Sequence, residues 1–120
     1  MLRKRSTAST GLICLPREEL VDRLKGIAAK LRRERPEVVE VRLFGSLGRG
    51  DRHGASDVDV LVLLRESTEP DLHRRILTYL PFFDLGRDVD VLVYSHTELQ
   101  ERMAVGDRFL SRVYGESILL

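Results

Sequence analysis

The sequence predicts an α/β (α+β) domain: a small mixed sheet of three or four strands with helices packed on it. Three observations carry that reading. Apolar runs of strand length fill Val38–Phe44, Asp57–Leu64 and Asp88–Tyr94. Stripes at three- and four-residue spacing stand before, between and after them, as amphipathic helices require. Proline and glycine signals separate the segments. At 120 residues the chain reads as one domain, long enough to bury a core.

Met1 to Ser9 is basic and polar, with Arg3, Lys4 and Arg5 leading. The expected arrangement is a flexible tail over residues 1–15 and a domain over 16–120; a basic arm touching nucleic acid or a partner is the alternative for the tail. No apolar stretch approaches the roughly 20 residues of a membrane span. The 20 basic and 19 acidic residues leave a net charge of +1, so nothing pulls the whole chain toward nucleic acid or membranes. The single cysteine, Cys14, excludes an internal disulfide and fits a reducing cytoplasm.

A first helix begins at Pro16 and carries Leu20, Leu24, Ile27, Ala28 and Leu31 on one stripe. Glu18 and Glu19 suit its positive end, Arg32 and Arg33 its negative end, and Pro36 stops it. The strand Val38–Phe44 follows. After the second strand, Glu66 to Pro70 is a loop, and Leu72, Ile76, Leu77 and Leu80 predict a short helix that Pro81 ends. Beyond the third strand, Ser95-His-Thr-Glu98 has capping-box spacing and starts a helix with Leu99 and Met103. Gly106-Asp107 interrupts it. Phe109, Leu110 and Val113 continue the stripe, with Gly115 as a C-terminal stop and Ile118–Leu120 as a short edge strand or a patch for a partner. His53, His73 and His96 sit on separate elements without metal-ligand spacing and are expected in solvent.

The segment between the first two strands is chemically the richest. Strand alternation puts Asp57 and Asp59 on one face, roughly 6.5–7 Å apart, where they can share a hard cation such as Mg²⁺. Carboxylates are costly in an apolar strand unless paired or metal-bound, although a hydrated turn at the strand's start would also accept them. Upstream, Gly45 lets the backbone turn sharply, and Ser46 can cap a helical turn whose free N–H groups attract anions. Gly48, Gly50 and Gly54 keep the connection thin, while Arg49 and Arg52 add positive charge. The glycines fit neither the P-loop nor the dinucleotide-binding spacing. Asp88 and Asp90 share a face in the third strand, so either could add a carboxylate if the strands are neighbours.

Gly45-Ser46, ten residues, then Asp57-Val-Asp59, with Arg49-Gly50 and Ser56 between, resembles the signature of the DNA polymerase β-like nucleotidyltransferases. The length is similar to that of their minimal prokaryotic branch, whose members often serve as antitoxins to HEPN-domain partners. The resemblance is carried by residues 38 to 94 and extends loosely to the flanking helices. It implies the nucleotidyltransferase fold and Asp90 as the third catalytic carboxylate, leaving Asp88 as a solvated residue at the strand's start.

On that resemblance, Asp57, Asp59 and Asp90 are expected to hold two Mg²⁺ ions, with Asp90 acting on the attacking hydroxyl. Gly45, Ser46 and Arg49 would hold the phosphates of an NTP, ATP being the expected one. The expected reaction moves a nucleoside monophosphate to a hydroxyl, with a tyrosine of a HEPN toxin as acceptor and this chain as its antitoxin. A HEPN-domain protein, or a second copy of the chain, is the expected macromolecular partner. Two alternatives stand beside it: a catalytically weak module that neutralises its partner by covering it, and a small-molecule nucleotidyltransferase. Long nucleic acids fit poorly with so neutral a chain.

Overall fold

The computed structural model describes residues 2–4, 16–45 and 58–120, the first of these stretches by its backbone alone. Five strands form one sheet: β1 (Leu2–Lys4), β2 (Val38–Phe44), β3 (Val58–Leu64), β4 (Val89–Ser95) and β5 (Ile118–Leu119), in the order β1-β4-β3-β2-β5. β3 and β4 are parallel, and every other pairing is antiparallel. The sheet is therefore mixed, as predicted, with short strands at both margins.

A parallel pair cannot be joined by a tight hairpin. The crossover from β3 to β4 is made by a helix, α2 (Leu72–Tyr79), and a single 3₁₀ turn, Leu80–Phe82. On the same face lies α1 (Arg17–Glu34), which buries Leu20, Val21, Leu24, Ala28 and Leu31 against Val58, Val60 and Val62 of β3 and Val89, Val91 and Val93 of β4. The opposite face carries Phe44, Leu61, Leu63 and Leu92. It is covered by α3 (His96–Ala104) through Leu99 and by α4 (Arg108–Glu116) through Leu110 and Val113. β3 is sandwiched between the two layers, and Asp59 alone among its seven residues is not fully buried.

The local signals explain most element ends. Glu18 and Glu19 occupy the first turn of α1, and Arg32 and Arg33 its last; Pro16 is the N-cap itself. The capping box of α3 forms as its spacing predicts: the Ser95 side chain accepts from the Glu98 N–H, and the Glu98 carboxylate accepts from the Ser95 N–H (2.8 Å). Gly106, at φ +89°, breaks the chain between α3 and α4, and Asp107 then caps α4 by accepting from the Leu110 N–H.

The structure corrects four expectations. Leu2–Lys4, read as part of a flexible tail, pairs antiparallel with β4; residues 5–15 lie outside the described residues. In α2 the buried residues are Arg75, Ile76 and Tyr79, while Leu72 and Leu77 are 37% and 51% exposed, because a two-turn helix buries only a narrow stripe. Phe109 is 55% exposed, so α4 packs through Leu110 and Val113. Gly115 does not stop α4, since it lacks the left-handed backbone of a glycine cap; the helix runs to Glu116 and ends at Ser117, whose hydroxyl donates to the Tyr114 carbonyl (2.7 Å). His96 keeps a 40% exposed side chain, as expected, with its Nε2 3.4 Å from Glu40 Oε2.

Candidate active site

Asp59 and Asp90 are brought together by register. In the parallel β3–β4 pair Asp59 stands opposite Asp90, as Leu61 stands opposite Leu92. Leu61 and Leu92 lie on the face covered by α3 and α4, and residues two apart in a strand share a face, so both carboxylates open onto the same side. Neighbouring strands run about 4.8 Å apart. Two carboxylates held that closely disfavour one another, and a divalent cation between them converts the repulsion into attraction. The oxygen-only, anionic donor set suits a hard cation such as Mg²⁺.

Gly45 closes the corner from β2. Phe44, the last residue of β2, is opposite Asp59. Gly45 then turns with φ +75°, a backbone state that side-chain-bearing residues rarely adopt. A Cβ built there would overlap the Asp59 carboxylate and come within 3.2 Å of its Cγ. The glycine is thus required twice, for its conformation and for the space the carboxylate fills.

Of the six residues singled out from sequence, the structure brings together Gly45, Asp59 and Asp90. Ser46, Arg49 and Asp57 lie outside the described residues, as does His53. Among the described residues no three His, Cys, Asp or Glu side chains gather as a metal cage; Asp59 and Asp90 supply two carboxylates. Asp88 is half-buried, and its carbonyl accepts from the Val58 N–H (3.2 Å), extending the β3–β4 ladder by one rung.

Two polar clusters support this layer without belonging to the carboxylate row. On β2, Arg42 donates from Nε to Glu40 (2.7 Å), from Nη1 to Ser117 (3.3 Å) and from Nη2 to Tyr114 (3.4 Å), and its guanidinium carbon stands 4.4 Å from the centre of the Tyr114 ring. These contacts tie the end of α4 onto β2. At the far end of the sheet, Arg75 forms a bidentate pair with Glu98 (2.6 and 2.9 Å) and donates from Nε to the Glu69 carbonyl. The Arg75 hydrogen bonds pull the Glu98 carboxyl down to about 2, against the opposing effect of burial, with the Ser95 bonds assisting. Neither cluster was legible in sequence. The capping spacing announced the Glu98–Ser95 bonds, but nothing local marks Arg75 as buried or Arg42 as half-buried.

A cleft of about 490 Å³, lined by Pro70, Leu72, Tyr94, Glu98 and Arg102 among others, opens elsewhere. Tyr94 stands four residues along β4 from Asp90, roughly 13 Å at strand rise, so this cleft is separate from the carboxylate row.

Residues 24–116 match the family described as "Nucleotidyltransferase domain". A bifunctional uridylyltransferase/uridylyl-removing enzyme of Nitrosococcus oceani is 34% identical over 84 residues, covering 68% of this chain and 9% of that enzyme. The chain therefore spans under a tenth of the length of that relative. A crystal structure from Sulfolobus solfataricus, of a protein assigned as a nucleotidyltransferase, superposes with a TM-score of 0.65 at 22% identity, covering 94% of this chain and 87% of the other. At that identity the likeness speaks for the fold.

Proposed function

Because the chain belongs to the nucleotidyltransferase domain family, we propose that it transfers a nucleoside monophosphate, AMP from ATP, to a hydroxyl on a partner protein. The observation that carries this reading is the register of Asp59 with Asp90 and the packing of Gly45 against Asp59. In this reading Asp57, Asp59 and Asp90 would hold two Mg²⁺ ions, with Asp57, Ser46 and Arg49 assigned from sequence alone. Bound there, Mg²⁺ supplies neutralisation of the charge building on the leaving pyrophosphate and lowers the pKa of the attacking hydroxyl.

The chain's own residues position and move protons. Gly45 lets the triphosphate approach the backbone closely, Ser46 donates to it, and Arg49 offsets its charge. Asp90 accepts the acceptor's proton at a carboxylate oxygen as the acceptor oxygen bonds to the α-phosphorus. The bond from that phosphorus to the bridging oxygen breaks, and pyrophosphate leaves with the electron pair. Catalysis of this kind rests on positioning and electrostatics more than on covalent participation by the protein.

A tyrosine of a HEPN-domain protein is the acceptor proposed, with the chain as its antitoxin. The similarity to a uridylyltransferase supports UTP as the competing donor. The test is incubation of the protein, Mg²⁺ and a host lysate with α-labelled ATP or α-labelled UTP. Label from ATP on one discrete protein, at a tyrosine, supports the full proposal, and label from UTP alone reassigns the donor. No label from either, with a partner still captured stoichiometrically, replaces catalysis with neutralisation by binding.

A further inference from the structure

Glu98, Glu101, Arg102 and Val105 follow one another at three- and four-residue steps along α3 and its C-cap, and this row forms one wall of the cleft of about 490 Å³. The two ends of the row are complementary. Val105 is an apolar knob, 83% exposed. At the Glu98 end, Pro70, Leu72 and Tyr94 line an apolar hollow. Arg75 fixes the start of α2 there, binding Glu98 bidentately (2.6 and 2.9 Å) and the carbonyl of Glu69, the residue before Pro70. The pairing offsets the Glu98 charge, so that end does not oppose the arrival of an apolar side chain. Between knob and hollow stand Glu101 and Arg102, consecutive and opposite in charge. Both are exposed, and neither side chain makes a hydrogen bond or ion pair among the described residues.

A dimer with two-fold symmetry needs a surface that complements itself when rotated by half a turn. This row meets that condition. An axis crossing α3 between Glu101 and Arg102 sets the helices of two copies antiparallel. Glu101 of each copy then meets Arg102 of the other, and Val105 of each reaches the Glu98 end of the other, where the hollow lies. A net charge of +1 per chain opposes the approach only weakly. We propose that this face joins two copies of the chain, with Val105 as the apolar anchor and the two crossed Glu101–Arg102 pairs setting the register. Tyr94 lies roughly 13 Å along β4 from Asp90, so the interface is built apart from the carboxylate row, and the inference does not depend on nucleotidyl transfer.

The test is sedimentation velocity of the full-length wild type, Arg102→Glu, Glu101→Arg, the double variant Glu101→Arg/Arg102→Glu, and Val105→Ser, each over a concentration series. The wild type should sediment as a concentration-dependent dimer. Each single reversal puts like charges into both crossed pairs and should raise the dimer Kd by about tenfold or more, whereas the double variant restores opposite charges and should recover most of the affinity. Val105→Ser should raise Kd by about tenfold through the loss of its apolar contacts in both hollows. All four variants should keep the thermal transition of the wild type, since each position is exposed. A wild type that stays monomeric throughout the series, including one that binds a foreign protein instead, overturns the inference. A dimer indifferent to the single reversals overturns it too, as does one that they weaken and the folded double variant does not restore.

Discussion

Asp59 and Asp90 are register partners on neighbouring parallel strands, and this pairing places two carboxylates side by side at the edge of an otherwise apolar layer. Asp59→Asn and Asp90→Asn should each lower kcat for nucleotidyl transfer by about 10³-fold, a typical loss for one group acting on transition-state charge. Both variants should keep a cooperative thermal transition, because each substitution preserves side-chain volume. Loss of activity together with loss of that transition would assign the pair to stability instead.

Gly45→Ala combines two penalties. The left-handed backbone at φ +75° costs a residue with a Cβ about 1–2 kcal/mol, and the added Cβ would displace the Asp59 carboxylate. Activity should therefore fall by more than the lost stability explains, when assayed at a temperature where both proteins are folded. Full activity in a destabilised Gly45→Ala protein would separate Gly45 from the placement of Asp59.

Acid should act through the Arg75–Glu98 clamp. The Glu98 carboxyl is lowered from 4.5 to about 2 by its hydrogen bonds from Arg75. A carboxyl depressed in the folded state contributes stability that is fully present above its unfolded pKa and is lost as pH falls through the folded one. That contribution should fade between about pH 4.5 and pH 2. Its size is moderated by solvent, since the Glu98 side chain is 36% exposed. Glu98→Gln should flatten the acid limb of a Tm-against-pH curve over that window; an unchanged limb would remove the clamp from the account of acid stability.

Gly26 offers a control distant from the site. It lies in α1, exposed, and a Cβ there meets nothing within 4 Å. Gly26→Ala should stabilise the protein by about 0.5–1 kcal/mol through helix propensity and the unfolded chain, with transfer activity unaltered. Chemical denaturation checks the first part, and the standard transfer assay the second.

The sheet was legible because its signal is local and strong. Val38–Phe44 matches its expected bounds, β3 matches from Val58 to Leu64 within the described residues, and β4 is displaced by one residue at each end. Asp59 and Asp90 could be assigned to single strands from alternation, but their juxtaposition needed the parallel register, which no local pattern specifies. Arg75 reads as a polar interruption in the stripe of α2, yet it is 5% exposed because Glu98, 23 positions away, and the Glu69 carbonyl take up its donors. Arg42 is similar: its partners Tyr114 and Ser117 arrive from the end of α4, more than 70 positions later. Leu2–Lys4 carries too little periodicity to announce a strand, and its pairing is set by the exposed edge of β4.

The central claim is that Asp59 and Asp90 act together on one divalent cation, and titration of Mn²⁺ followed by electron paramagnetic resonance, with ATP present, tests it most directly. The wild type should bind Mn²⁺, and Asp59→Asn and Asp90→Asn should each weaken that binding by about tenfold or more, as expected for loss of a carboxylate ligand. Wild-type affinity in the Asp90→Asn protein, with its fold intact, would contradict the shared site.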